Sequence, residues 1–86
     1  MDEDKKLIIL VDDNPTNLWI GKNVLSERYR VVTVPSAKKL FEILERNYPA
    51  IILLDVDMPE MNGYEAIKIL KSKRETKNIP VIFLCE

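Results

Sequence analysis

A chain of 86 residues has room for one small domain, since a chain of this size buries only about 60% of its unfolded surface on folding. Its 47% hydrophobic and 31% charged residues are typical of a globular protein and far from disordered or collagen-like compositions. A net charge of −1 gives no electrostatic footprint for nucleic acid or an anionic membrane. Cys85 is the single cysteine and there is no histidine, which excludes an intramolecular disulfide, a multi-cysteine zinc site and histidine acid–base catalysis. Carboxylates are then the strong metal ligands that remain, and they suit hard ions such as magnesium, calcium or manganese.

No apolar run approaches the roughly 18 residues that a membrane-spanning helix needs. The acidic opening Met1-Asp2-Glu3-Asp4 is the reverse of the basic start of a signal peptide, so a cytoplasmic chain is expected. Short apolar runs predict strands at about residues 6–11, 30–34, 50–54 and 80–84. Apolar residues at helical spacing predict helices at about 15–27, 36–47 and 63–72. Asn14 as N-cap and Pro15 at the first helical position start the first helix, which is expected to bury Leu18, Val24 and Leu25, with Trp19 in the core or partly buried. Ser36 caps the second helix, whose Ala37, Leu40, Phe41 and Leu44 form its apolar stripe. Ala66, Ile67 and Leu70 face inward on the third, and Lys71 and Lys73 complement its dipole or form a solvated face.

Strand–helix alternation with unbroken apolar strands predicts one α/β domain over residues 1–86, built on a parallel sheet. Right-handed crossovers favour the strand order 2-1-3-4, which reverses between strands one and three. The first strand runs into Asp12-Asp13 and the third into Asp55-Val56-Asp57. Ligands of open α/β sheets bind beyond the carboxyl ends of strands at such a reversal, so these four aspartates converge on the expected site. Like charges packed together raise one another's pKa unless a cation compensates, and a divalent cation is the natural compensation.

Taken in order, strand–Asp12-Asp13, then Asp55-Val56-Asp57-Met58-Pro59-Glu60-Met61-Asn62-Gly63, then Pro80-Val81-Ile82-Phe83-Leu84 resembles the receiver domain of two-component response regulators. The resemblance covers essentially the whole chain, and the Leu54–Gly63 stretch is its most specific part. It implies a three-layer flavodoxin-like fold here lacking the final strand and the last two helices, as in a truncated receiver. It implies that Asp55 is the phosphoacceptor, charged by a histidine kinase or histidine phosphotransfer protein, with Mg2+ or Mn2+ as cofactor. Asp13 and Asp55 would hold the metal directly, Asp12 largely through water, and Asp57 through its backbone carbonyl. Pro59 and Gly63 would shape the turn into the third helix. Such a domain is a signalling phosphoacceptor, not an enzyme, labelled only from phosphohistidine or small phosphodonors.

Two departures from the family pattern stand out. Cys85, followed by Glu86, holds the position of the usual phosphoryl-binding Thr or Ser. A thiol is the weaker donor and the acid repels a phosphoryl group. No lysine occupies the place of the family's strand-five lysine. A degenerate or truncated receiver acting as an interaction module is therefore an alternative. A haloacid dehalogenase-like phosphatase is another, because Asp55-Val56-Asp57 also fits its nucleophile motif, although that motif belongs on a first strand. With a fourth-strand edge and one sheet face left uncovered, self-association is expected.

Overall fold

The structure is a computed structural model and describes residues 5–84. The four apolar runs form strands β1 (Leu7–Val11), β2 (Arg30–Val34), β3 (Ile51–Asp55) and β4 (Val81–Leu84). All pair in parallel, in the order β2-β1-β3-β4. Between them lie helices α1 (Pro15–Leu25), α2 (Ala37–Leu44) and α3 (Gly63–Ser72).

Each helix start has a sequence cause. Asn14 accepts the backbone N–H groups of Thr16 and Asn17, with Pro15 at the first helical position. The Ser36 hydroxyl accepts from Lys39 N. Asn62 and Glu65 close a reciprocal capping box at the start of α3. α1 and α2 end sooner than the apolar spacing predicts. Beyond Leu25 the N–H groups of Arg28 and Tyr29 both turn back to its carbonyl, and beyond Leu44 those of Arg46 and Asn47 both turn back to Ile43. The remaining residues of the expected helices thus form tight turns.

Side chains alternate across the sheet, and the two faces are covered unequally. On one face Ile9, Val11, Ile52 and Leu54 pack with Ala37, Leu40 and Leu44 of α2 and Ala66 and Leu70 of α3, forming the buried core with Val34, Met58 and Ile79. Fully burying each large aliphatic side chain contributes about 1.5–3 kcal/mol. Thr76, also buried, donates its hydroxyl to Leu70 O at the C-terminal end of α3.

The other face carries Ile8, Leu10, Ile51, Leu53, Ile82 and Leu84, and α1 lies against it at Leu10. A Cβ on Gly21 would come within 2.5 Å of the Leu10 side chain, so glycine permits this close approach. Coverage here is partial: Ile8 and Leu10 are buried, whereas Ile82 is 51% exposed. The expected burial along α1 is accordingly not found. No residue of this helix is fully buried, Trp19 and Val24 are each 70% exposed, and Leu18 and Leu25 are half-buried. The physical reason is that the apolar residues of α1 spread around its circumference, and among the described residues no second helix packs on its outer side to cover them.

Candidate acidic site at the sheet reversal

β1 and β3 are neighbours in the sheet, with Val11 opposite Leu54. The residues that follow, Asp12 and Asp55, therefore emerge side by side at the carboxyl end. Carboxylate oxygens of Asp12, Asp13 and Asp55 lie within 4.8 Å of one another. Asp57 lines the same open cleft, of about 470 Å³, together with Asn14, Asn17, Val56 and Leu84. Its carboxylate is not part of the three-carboxylate cluster. Cys85, assigned above to the phosphoryl-binding position, lies outside the described residues.

The three aspartates differ in environment. Asp12 is buried at 6% exposure, and its two oxygens are held by different donors, Oδ1 by Asn14 N–H at 2.9 Å and Oδ2 by Asn17 Nδ2 at 3.1 Å. Asp13 is exposed. Asp55 is half-buried and accepts the N–H of Asp57 at 3.2 Å on Oδ1. Its pKa is raised above the usual carboxylate value, first by burial and then by the negative charges of Asp12 and Asp13, while the Asp57 N–H works in the opposite direction. A site that raises the pKa of an acid through neighbouring anions is a site short of positive charge. The donors are all hard oxygens, so a divalent ion of the magnesium or manganese type fits them chemically.

The loop between Asp55 and α3 is held tightly. Gly63 N–H donates to Val56 O at 2.9 Å. A Cβ at Gly63 would sit 2.7 Å from Asp55 O and 3.0 Å from Val56 Cα. Asn62 is the N-cap of α3 and Gly63 its first residue, as the predicted helix start requires, and no glycine has a positive φ. The left-handed position of this loop belongs instead to Glu60, at φ 69°. Gly63 is required by close approach of the backbone, not by its own dihedral. Asn17 is the polar contact that sequence reasoning missed. Its signal was present, since an amide five residues beyond Asp12, in the first turn of a helix capped by Asn14, can reach back to the strand end.

Comparison with known proteins agrees with this geometry. Residues 8–86 match the family model of the response regulator receiver domain. The chain is 43% identical over 77 residues to a probable cyclic di-GMP phosphodiesterase of Vibrio cholerae serotype O1, covering 90% of this chain and 18% of that protein. It is 30% identical over 78 residues to the polar-differentiation response regulator DivK of Brucella suis, covering 90% of this chain and 63% of that one. Among solved structures, the N-terminal domain of a response regulator receiver protein from Methanoculleus marisnigri superposes with a TM-score of 0.90 at 32% identity, over 93% of this chain and 66% of that one. The receiver domain of a sensor histidine kinase from Pseudomonas aeruginosa, described with a magnesium ion coordinated in its active-site cleft, superposes with a TM-score of 0.88 at 29% identity, over 94% and 67%. The chain thus spans less than two thirds of the length of the phosphodiesterase and of DivK, 18% of the first and 63% of the second. No helix among the described residues is long and apolar enough to cross a membrane. With the family match running from the second residue of β1 onward, and the acidic cluster at the strand ends where the sheet order reverses, the chain belongs to the response regulator receiver domain family.

Proposed function

We propose that this chain accepts a phosphoryl group on Asp55 from a histidine kinase or a histidine phosphotransfer protein, with Mg2+ or Mn2+ as cofactor. The observation that carries the reading is the cluster of three carboxylates within 4.8 Å at the carboxyl ends of β1 and β3. Asp13 and Asp55 would hold the ion directly, the carbonyl of Asp57 would add a ligand, and Asp12 would act through water. The side chain of Asp12 supports an indirect role, since both of its oxygens already accept hydrogen bonds from the protein. When bound, the ion offsets the charge of the carboxylates and of the transferring phosphoryl group.

The carboxylate of Asp55 is the nucleophile: one of its oxygens bonds to phosphorus as the phosphorus–nitrogen bond to the donor imidazole breaks, and the imidazole keeps that electron pair and takes up a proton from solvent. The Asp57 N–H, on Oδ1, orients the carboxylate for this attack. The exposed edge of β4 and the partly bare sheet face beside it also support self-association of the chain.

Incubation with acetyl phosphate and MgCl2, read by intact mass, tests the reading. One phosphoryl group per chain is expected, abolished by Asp55→Asn and by Asp13→Ala. Absence of labelling would overturn phosphoryl transfer and leave an interaction module, and sustained release of inorganic phosphate over many turnovers would indicate a phosphatase.

A further inference from the structure

We propose that Asn17 is a positioning residue of the acidic cleft, holding the Asp12 carboxylate in the orientation that sets the affinity of the site for a divalent cation. The inference rests on the reading of the cleft given above. A carboxylate that is only 6% exposed has lost most of its hydration and depends on protein donors to be held in place. Asp12 has one donor on each oxygen: the backbone N–H of Asn14 on Oδ1 and the Asn17 amide on Oδ2, at 2.9 Å and 3.1 Å. Two donors on opposite oxygens fix the plane of the carboxylate, whereas a single one leaves it free to rotate about that contact. Asn17 is itself placed by the first turn of α1, where its own N–H donates to Asn14 Oδ1 at 3.4 Å. Strand end, helix cap and amide therefore form one hydrogen-bonded unit, Asp12–Asn14–Asn17, on the wall of the cleft that also holds Asp13 and Asp55.

The residue type matters as much as its place. An amide donates a hydrogen bond without adding charge, so it orders Asp12 and leaves the negative potential of the three carboxylates available to a cation. A lysine or arginine at the same point would satisfy Asp12 equally well and compete with the ion electrostatically. Groups that orient metal-site oxygens from outside the ligand set typically contribute 10–100-fold to affinity. A residue acting through a water-linked carboxylate belongs at the lower end of that range.

Titration with MgCl2 alone, followed by calorimetry or amide chemical shifts, tests the inference without phosphorylation. Asn17→Ala is expected to weaken Mg2+ binding by about tenfold. Asn17→Gln, which keeps the amide, should stay within about threefold of the parent. Asn17→Ala binding as tightly as the parent would overturn the proposal, and so would a loss for Asn17→Gln as large as that for Asn17→Ala. A second measurement needs no variant: the side-chain NH2 resonances of Asn17 should shift saturably with Mg2+ at the same midpoint as the Asp13 backbone amide. Side-chain resonances that stay fixed while Asp13 moves would overturn the role of Asn17 alone. A parent protein without saturable Mg2+ binding would overturn the reading of the cleft and this inference with it.

Discussion

Adding one methyl group at Gly63 tests whether the geometry of the loop after β3 is set by backbone contact. The new Cβ would lie 2.7 Å from the carbonyl oxygen of Asp55, 3.0 Å from the Cα of Val56 and 3.3 Å from the carbonyl carbon of Asp55. All three are backbone atoms, so no side chain can rotate away. Relief requires a separation of several tenths of an ångström between the start of α3 and the loop after β3, which strains the 2.9 Å bond from Gly63 N–H to Val56 O. Overpacking of this kind costs about 1–3 kcal/mol. Replacing glycine by alanine in a helix returns at most about 1 kcal/mol, and less at its first position. The net expectation for Gly63→Ala is a loss of about 1–2 kcal/mol, read as a fall of roughly 4–15 °C in Tm for a domain of this size. Because the strained atoms belong to Asp55 and Val56, acetyl phosphate labelling should slow as well. A variant as stable as the parent and labelled at the same rate would refute the close-approach account of Gly63.

Asp55→Asn should stabilise the protein at neutral pH by about 0.5–1 kcal/mol, since the cost of partly burying the charge and two solvent-screened like-charge repulsions are removed. The pKa of Asp55 is raised in the folded state, so its ionisation opposes folding once the pH exceeds that raised value. As the pH falls from there toward 3.8, the folded parent holds its proton more tightly than the unfolded chain does, and the advantage of the variant should disappear. Urea titrations at several pH values check this sign. Glu60→Gly should raise stability by up to about 1 kcal/mol, because relief of a left-handed φ of 69° outweighs the added entropy of the unfolded chain. Equal or lower stability in thermal melts would contradict it. With β4 at the edge of the described sheet and Ile82 51% exposed, the 86-residue chain should associate as its concentration rises. Light scattering coupled to size exclusion would show a constant monomer mass if this is wrong.

The parts of the fold legible from sequence were those where a single local rule operates without competition. Apolar runs without polar alternation marked the four strands, although only β1 is well covered on both sides. Asn14, Ser36 and Asn62 sit at N-caps because a short oxygen-bearing side chain satisfies free N–H groups there. The site was legible because Asp12 and Asp55 follow the apolar runs that become β1 and β3, whose order in the sheet follows from crossover handedness. Trp19 and Val24 were not legible. Leu18, Trp19, Ile20, Val24 and Leu25 place apolar side chains on most sides of one helix, so periodicity selects no buried face, and the choice falls to whatever packs against the helix.

Gly63 shows the same limit at atomic scale. An Asn-Gly pair signals a turn with positive φ when only local preference is considered. Here Asn62 is used for its oxygen and Gly63 for its missing Cβ, while Glu60 takes the left-handed conformation. The requirement arises from atoms at Asp55 and Val56, seven or eight positions away in sequence, and is visible only once β3 and α3 are docked. The same holds for Asn17, whose amide meets Asp12 because α1 starts immediately beyond the strand end. Both residues act where a strand end meets the first turn of a helix, and each touches one of the two aspartates that emerge side by side from β1 and β3. The acidic cleft therefore depends on two helix starts as well as two strand ends, and substitutions at Asn17 and Gly63 should alter it through different atoms, the first through the Asp12 carboxylate and the second through the Asp55 backbone.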